Sequence, residues 1–387
     1  MKKRVLFVVT YFDCGGTCRS LQNLLQGIDT ELVEVDLFGM VEEGMYKDIF
    51  PNSRVIPEKR WLRALMARYS QQSGLRRWES LVAKILRKVT GGWFERWIVR
   101  RACRQLAQRP YDAVVAFSEG APTNFVAQIP HHNRIAWIHC DYASYYRLNG
   151  ARDESVLYGA YNSIVCVSKF TASTFSAIYP HLQARVRSIF NLLDVAMVRS
   201  LAQKPLPEAV AAQAGFQILS IGRLDPVKRL SVIPAIAAEL KQRGCRFYWR
   251  VVGPKGGSEE EYHKLMADIE RYQVGDCVVW LGEQANPYPF IAQSDLLVCP
   301  SRSEACPYVV NEAKTLHVPV VCTDFGSASE FVEAGVHGYT ASLEALPDVI
   351  ASLILDEERH KSLVRNLAEF DYDNRPMIRS LYQLLEA

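Results

Sequence analysis

The sequence has no long hydrophobic segment. None of its apolar runs approaches the ~20 residues that a helix needs to cross a membrane. Residues 2–9 resemble the start of a signal peptide, but the apolar run is short, and Tyr11 and Phe12 follow it without a small-residue cleavage site. We therefore predict a β-strand at this position and a cytoplasmic protein. Peripheral attachment to the inner face of the cell membrane stays open.

The sequence also lacks the cysteine spacings of common metal sites. None of its ten cysteines forms a C-x-x-C pair, and Cys14 and Cys18, four residues apart, have no matching ligand pair elsewhere. We therefore predict no bound metal. Without a secretion signal, the cysteines indicate buried thiols in a reducing compartment.

The glycine fingerprint G-x-G-x-x-G is absent, which argues against a nicotinamide or flavin cofactor, and we predict no cofactor. A different glycine turn is present, since Gly15 and Gly16 follow the first predicted strand and precede a helical pattern at 20–27. Such a turn lets backbone N–H groups approach a phosphate or a sugar closely. An ordinary tight turn explains the same residues, so both interpretations stay open.

The length of 387 residues exceeds the ~250–300 at which a single core stops growing, so we predict two domains. Short apolar runs alternate with helical patterns in both halves, which favours doubly wound parallel sheets. A proline- and alanine-rich linker is predicted at 204–214. The predicted strands are 3–10, 31–38, 112–117, 134–138, 163–167, a short strand within 187–194, 216–221, 247–252, 278–281, 295–299 and 318–322.

Two carboxylates follow the predicted strand that ends at Pro300. Glu304 lies in the loop after this strand, and Glu312 lies eight residues further on, inside a predicted helix. Ligands of open α/β sheets bind at this end of the strands, where helix N–H groups attract anions. We therefore expect both Glu residues to accept hydrogen bonds from a polyhydroxylated ligand. The alternative is an exposed loop Glu and a solvated helix Glu.

A second polar turn follows the strand at 216–221. Gly222 permits a tight turn, and Arg223 and Lys228, five residues apart, can converge on one anion. Guanidinium suits forked contacts with phosphate oxygens, and the ammonium adds a point charge. The alternative is a capped surface helix with two solvated cations. His139, which also follows a predicted strand, is either a ligand contact or a structural histidine.

The motif G-R-L-x-x-x-K at 222–228, followed by Glu304 and Glu312 in an E-x7-E pattern, resembles the signature of family 4 retaining glycosyltransferases of the GT-B fold. Relatives of this kind assemble bacterial surface polysaccharides. The resemblance covers 216–342 with specific motifs and is looser over 1–194. It implies two Rossmann-like domains that face a central cleft. These are an acceptor-side domain at 1–194, joined by a C-terminal helix at 365–387, and a nucleotide-sugar-binding domain at 195–364.

The resemblance implies metal-independent transfer of a hexose-type sugar from a nucleotide diphosphate sugar to a hydroxyl of a saccharide or lipid-linked acceptor. The catalytic residues that it implies are Arg223 and Lys228 for the diphosphate, Glu304 for the sugar hydroxyls, and His139 as a further sugar contact. The implied substrate-binding residues are Gly16, Gly222, Cys306, Pro307, Tyr308, Val309 and, for the ribose, Glu312.

The chain departs from the family pattern at three places. Ala305 replaces a common Gly, Thr17-Cys18 replaces Ala-Glu, and Leu192-Leu193 replaces the middle of the hinge motif. Asp371-Tyr372-Asp373 resembles the metal-binding Asp-x-Asp of the other large transferase fold, but it follows no strand, and we interpret it as helix capping. A nucleotide-sugar epimerase, or a non-catalytic GT-B scaffold or membrane-binding protein, remains the alternative.

Positive charge is concentrated at 54–109, which holds fifteen Lys and Arg against three Glu. The pattern there is helical, with apolar and aromatic positions such as Trp78, Ile85 and Trp97 on one side and cations on the others. Such helices can lie on an anionic membrane surface. An ordinary helix with its stripe in the core and its arginines in water fits equally. No nucleic-acid recognition motif accompanies the basic region, so we predict no nucleic-acid partner.

Overall fold

The computed structural model of the protein describes residues 2–12, 15–43, 50–68, 72–206, 214–256 and 259–386. Cys14 and most of the predicted linker at 204–214 lie outside these residues. The chain divides into two compact units. The first comprises Met1–Leu192 with Asn374–Ala387, and the second comprises Leu193–Asp373. The sequence places the first boundary two residues later, at 194/195.

The first unit is built on a parallel seven-stranded sheet. Its strands are β1 Lys3–Val9, β2 Val33–Gly39, β3 Ser53–Ile56, β4 Ala113–Ala116, β5 Arg134–Ile138, β6 Ser163–Cys166 and β7 Val186–Ser188. Their order across the sheet is β3-β2-β1-β4-β5-β6-β7. The central strands are buried on both faces, as helix-covered parallel strands require.

Helices connect these strands and complete the first unit's core. They are α1 Gly16–Gly27, α2 Arg60–Met66, α3 Gly74–Val89, α4 Trp93–Ala107, α5 Ala121–Val126, α6 Tyr142–Leu148, α7 Ser155–Gly159 and α8 Lys169–Ile178, with a 3-10 turn at Pro180–Arg185. The region that the sequence pattern predicts to be helical and basic thus forms three helices, α2, α3 and α4.

The second unit repeats the architecture with a parallel six-stranded sheet in the order β10-β9-β8-β11-β12-β13. Its strands are β8 Phe216–Ile221, β9 Phe247–Val252, β10 Val278–Trp280, β11 Leu296–Cys299, β12 Val320–Thr323 and β13 Gly338–Ala341. Its helices are α9 Val195–Ala202, α10 Ile233–Gln242, α11 Glu260–Arg271, α12 Tyr288–Ala292, α13 Tyr308–Thr315, α14 Ala328–Phe331, α15 Leu346–Leu355 and α16 Glu357–Ala368, with a 3-10 turn at Leu230–Val232.

The strand order reverses beside the first strand of each unit, between β1 and β4 and between β8 and β11. Ligands of doubly wound sheets bind outside the carboxyl ends of the strands at such reversals. The predicted α/β class with two Rossmann-like sheets is confirmed. The edge strands β3 and β13 are absent from the prediction, because each has only four residues and neither is a continuous apolar run.

The last helix, α17 Arg375–Glu386, belongs to the first unit. Asn133 Nδ2 donates to the carbonyl oxygen of Leu384 at 3.2 Å, and the Tyr382 hydroxyl accepts a hydrogen bond from a backbone N–H of the same unit at 2.9 Å. The predicted joining segment, 365–387, begins nine residues too early, since the chain returns to the first unit at Asn374. Helix α16 runs to Ala368 and so includes the start of the predicted segment, and its Leu363 packs into the second unit's core.

Candidate active site

The loop after β8 holds the predicted phosphate-binding cations. Asp225 organises it, because its Oδ1 accepts hydrogen bonds from the N–H groups of Val227 at 3.0 Å and Lys228 at 2.9 Å. Its Oδ2 lies 3.2 Å from Nη2 of Arg223, whose side chain is largely exposed. Sequence reasoning missed Asp225. The sequence does indicate its role, because an Asp in a predicted turn commonly accepts a hydrogen bond from the N–H two residues further on.

The loop after β8 packs against the end of β9. The N–H of Gly222 donates to the carbonyl oxygen of Val252 at 2.9 Å, and the N–H of Leu224 donates to that of Pro254 at 3.0 Å. A Cβ on Gly253 would lie 1.9 Å from the carbonyl oxygen of Gly222, and Gly253 has a φ of +144°. Only glycine therefore fits at position 253, whereas the nearest contact of a Cβ on Gly222 would be Cγ of Lys228 at 3.4 Å.

Lys228 and Glu304 meet although 76 residues separate them in the sequence. Nζ of Lys228 lies 2.5 Å from Oε1 of Glu304, and the same oxygen accepts a hydrogen bond from Oγ of Ser301 at 2.7 Å. Burial opposes the charge of Lys228, but the Glu304 carboxylate outweighs this, and the pKa of Lys228 is raised. The structure therefore joins two predicted catalytic residues as a charged pair. Arg223 contacts Asp225 instead.

Three further contacts hold the loop that carries Glu304. The N–H of Arg302 donates to the carbonyl oxygen of Val227 at 2.7 Å, which connects this loop to the loop after β8. Oγ of Ser327 donates to the carbonyl oxygen of Glu304 at 2.7 Å, and Thr323 Oγ1 donates to the backbone of the same loop. Sequence reasoning assigned no role to Ser327 or Thr323, because their partners lie more than twenty residues away.

Helix α13 begins directly after this loop. Cys306 and Pro307 precede the helix, and Tyr308 and Val309 are its first residues. Backbone N–H groups at a helix start carry partial positive charge, which suits a phosphate or a sugar oxygen. Pro307 has no N–H, so it shapes the turn without donating a hydrogen bond. The predicted substrate-binding residues therefore lie where a helix N-terminus follows the carboxyl end of β11.

Glu312 lies on the second turn of α13, and its side chain is buried. The hydroxyl of Tyr288, on α12, donates to its Oε1 at 3.2 Å. The side chain of Glu304 is only 11% exposed. The alternative of an exposed loop Glu and a solvated helix Glu is therefore wrong for both residues.

His139 directly follows β5 in the first unit. Its ring centroid lies 4.6 Å from that of Phe117 and 6.4 Å from that of Trp137. Burial lowers the pKa of His139 to about 3, so the imidazole is neutral at pH 7. Its Nε2 is buried and has no hydrogen-bond partner within the described ranges. An unsatisfied buried ring nitrogen at a strand's carboxyl end is a candidate for contact with a ligand hydroxyl.

Glu119, just beyond β4, holds the loop of His139. Its Oε1 accepts hydrogen bonds from the N–H groups of His139 and of Cys140, the latter at 2.9 Å. Burial raises the pKa of Glu119, although these donors oppose the shift. Gly16 is the first residue of α1, and a Cβ there would meet no atom within 4 Å in the described part of the chain. No internal contact therefore explains the glycine at that position.

The described residues contain no group of three or more His, Cys, Asp or Glu side chains placed to hold a metal ion. Asp371 and Asp373, which form the Asp-x-Asp pattern, lie between α16 and α17. None of the helices that the structure describes is both long and apolar enough to span a bilayer.

The site loops of the second unit lie within a segment that matches a known family model. Residues 207–370 match the family model described as glycosyl transferases group 1. We call residues 207–370, which match this family model, the group 1 segment. All the predicted site residues of the second unit lie inside this group 1 segment, whereas Gly16 and His139 lie outside it. The predicted resemblance to GT-B glycosyltransferases is thereby confirmed.

Two curated proteins that are similar to this chain come from bacteria. N-acetyl-alpha-D-glucosaminyl L-malate synthase of Bacillus anthracis is 24% identical over 194 residues, which cover 49% of each chain. The putative colanic acid biosynthesis glycosyltransferase WcaL of Escherichia coli K12 is 29% identical over 197 residues, 47% of this chain and 48% of WcaL. The chain therefore spans about half the length of the curated relatives it matches.

A solved structure is similar over nearly the whole chain. HepE of Anabaena, crystallised in complex with UDP and glucose, superposes with a TM-score of 0.76 over 99% of both chains at 18% identity. At this identity the likeness shows the fold. Both units of the chain therefore share the GT-B fold.

Proposed function

We propose that the chain is a retaining, metal-independent glycosyltransferase. It transfers a hexose-type sugar from a nucleotide diphosphate sugar to a hydroxyl group of a saccharide or lipid-linked acceptor, without a cofactor. The observation that carries the proposal is the Lys228–Glu304 pair, which lies at the carboxyl ends of the second unit's strands within the group 1 segment. Polysaccharide or glycan synthesis is the proposed setting, which the similarity to a putative colanic acid biosynthesis glycosyltransferase supports.

The two cations of the loop after β8 serve the leaving group. In the transfer, the acceptor oxygen bonds to the anomeric carbon, and the bond from that carbon to the diphosphate oxygen breaks. Negative charge develops on the departing diphosphate, which takes up the acceptor's hydroxyl proton. Preorganised cations at that position stabilise the transition state more than the bound donor. Lys228, held by its carboxylate partner, and Arg223, held by Asp225, occupy the loop suited to this role.

The two carboxylates and the start of α13 serve recognition. Glu304 has one oxygen on Lys228 and Ser301, and its other oxygen accepts from the donor sugar's hydroxyls. Glu312, buried beside Tyr288, accepts from the nucleotide ribose. The N–H groups at the start of the helix bind sugar and β-phosphate oxygens. His139 and Gly16, on the first unit, stay predicted contacts of the sugar and the phosphates.

A donor-binding screen tests the proposal. The purified chain is melted with UDP-, GDP-, ADP- and TDP-sugars, with and without EDTA. A donor at one hundred times its Kd adds ~2.7 kcal/mol of stability and raises the melting temperature. We expect an EDTA-insensitive rise with one nucleotide, which Arg223→Ala and Glu312→Ala each reduce. Arg271→Ala, on an exposed position of α11, is the matched control and retains the rise.

Turnover with the donor so identified separates the alternatives. Release of the nucleoside diphosphate, together with an anomeric proton coupling in the product that matches the donor, supports retaining transfer. An epimerised sugar nucleotide without diphosphate release would identify an epimerase. Absence of donor binding with every nucleotide would favour the non-catalytic scaffold.

We place the reaction at the inner face of the cell membrane, where a lipid-linked acceptor presents its hydroxyl.

A further inference from the structure

Helix α3 is oriented with its apolar side toward solvent. Its fully buried side chains are Glu79, Ser80 and Ala83, which are small or charged. Five of the seven large apolar side chains of the same helix are exposed, and the other two, Val82 and Leu86, are half-buried. The exposed fractions of the five are 70% for Leu75, 64% for Trp78, 41% for Leu81, 51% for Ile85 and 78% for Val89. The sequence left open whether this stripe packs into the core, and for α3 that interpretation is wrong.

A buried ion-pair network fixes this orientation. Arg63 of α2 is buried and forms ion pairs with Glu79 and, at 3.1 Å, with Glu58. Arg60 lies 2.8 Å from Glu79, and Gln72 accepts from Arg63 at 3.0 Å. Turning α3 to bury its apolar side would withdraw Glu79 and leave the buried Arg63 with Glu58 as its remaining carboxylate partner, which is unfavourable. The outward stripe is therefore a built feature of the unit.

The apolar stripe continues onto α4. Two glycines with left-handed φ, Gly91 and Gly92, connect the helices. Trp93 and Trp97 then stack with centroids 6.4 Å apart and are 59% and 42% exposed. Of fifteen large hydrophobic side chains exposed among the described residues, seven lie between positions 75 and 97. We call these seven side chains the apolar face. Seven exposed large apolar side chains within 23 residues of sequence mark a candidate binding surface.

The apolar face is bordered by positive charge. Residues 74–107 contain nine Lys and Arg and two Glu. Both Glu are engaged internally, since Glu79 is in the buried network and Glu95 lies 2.8 Å from Arg87. Arg96, Arg100 and Arg104 line a cavity of about 430 Å³ together with the two stacked tryptophans. Within the described ranges, no carboxylate pairs with these three arginines.

We propose that the apolar face is a docking surface for an anionic lipid membrane, with α3 lying parallel to the bilayer plane. Tryptophan at the boundary of an apolar stripe, with Lys and Arg beside it, is the composition of helices that insert at the lipid–water interface. Lipid phosphates complement the cations, whereas a second copy of the same surface would bring like charges together. The inference rests on the proposed function in one respect: membrane docking would hold the enzyme near a lipid-linked acceptor.

Vesicle flotation of the full chain tests the proposal. Phosphatidylcholine vesicles are compared with vesicles that contain about 30 mol% phosphatidylglycerol, at about 0.1 M salt. We expect binding to the anionic vesicles at least ~10-fold above the neutral ones, with a blue shift of tryptophan fluorescence. The double variant Trp78→Glu/Val89→Glu removes binding, whereas Val156→Glu, at a position 89% exposed elsewhere on the first unit, retains it. Arg100→Gln/Arg104→Gln weakens binding and its salt dependence.

Two results would overturn the proposal. One is equal or absent binding to both kinds of vesicle. The other is concentration-dependent dimerisation, in sedimentation, that Trp78→Glu/Val89→Glu abolishes, since this would make the apolar face a contact between copies. Donor-dependent melting of the double variant shows that it is folded. Vesicle binding without donor binding would contradict the proposed function and support this inference. Donor binding without vesicle binding would support the proposed function and contradict this inference.

Discussion

Lys228 keeps its charge in a partly buried position because Glu304 lies 2.5 Å away. Each partner satisfies the other, so the two side chains form one unit of the loop structure. Removing either partner leaves a desolvated charge, whereas removing both leaves none. The position of both residues thus depends on their mutual attraction as well as on the backbone.

We predict non-additive effects at this pair. Glu304→Gln or Lys228→Met alone lowers the stability of the second unit by ~1–3 kcal/mol, and the double variant loses clearly less than the sum. Calorimetric melting of the four proteins measures the coupling. Additive losses would mean that the two side chains contribute to stability independently and that their coupling is negligible. Lys241→Met, at an exposed pair with Asp276, is the control.

The neutral state of His139 gives a pH dependence of known sign. Its pKa of about 3 lies below the ~6.5 of an unfolded chain, so the unfolded chain binds the proton first as the pH falls. Stability from this residue is complete above about pH 6.5 and is lost progressively toward pH 3. Glu119, whose pKa is raised, acts in the opposite direction. We expect the melting temperature to fall less on acidification to pH 5 in His139→Gln than in the wild type, and parallel profiles would contradict this.

At the scale of elements, the loop after β8 depends on a glycine that the catalytic motif does not include. Gly253→Ala places a methyl group 1.9 Å from the carbonyl oxygen of Gly222 at a φ that disfavours side chains. We predict a loss of ~2–4 kcal/mol and weakened donor binding. Gly275→Ala, whose methyl would make an ordinary 3.6 Å contact with Ile269, is the matched control. Equal melting of both variants would show that the loop relaxes freely.

The elements also show what a sequence pattern can determine. Strands such as β5 and β8 are predicted at their observed bounds, because parallel strands buried on both faces appear as continuous apolar runs. The helical period of α3 is equally visible, but the period alone does not say which side faces the core. That choice depends on the ion pairs of Arg63 with Glu58 and Glu79, which form only when α2 and α3 pack together.

In the candidate site too, local patterns could be predicted from the sequence, whereas contacts between distant residues could not. The positions of Glu304 and Lys228 could be predicted, because the strand ends and motif spacing are local. The role of Asp225 was open to prediction from its place in a tight turn, whereas that of Ser327 was not, because its partner is a backbone oxygen 23 residues away. Glu119 likewise acts through a neighbouring strand end.

For the whole molecule, the chain's last helix contributes to the unit that contains its first strand. Leu381 of α17 is almost fully buried in that unit. We predict that Leu381→Ala lowers the melting temperature of the first unit by creating a cavity worth ~2–5 kcal/mol. Arg379→Ala, an exposed position on the same helix, is the control. Donor binding to the second unit should persist in both variants, and its loss in Leu381→Ala would show that the two units do not fold separately.

The cation loop after β8 has a consequence for the solution behaviour of the whole protein. Arg223 has Asp225 as its counter-ion, and Lys228 has Glu304, so the loop carries its own neutralising charge. In the proposed donor complex, the diphosphate binds to a loop whose charge is already balanced by internal counter-ions, so few salt ions are released to the solvent. Donor affinity should therefore vary little with ionic strength, whereas the vesicle affinity of the apolar face should fall steeply, and a change of salt alone would separate the two activities.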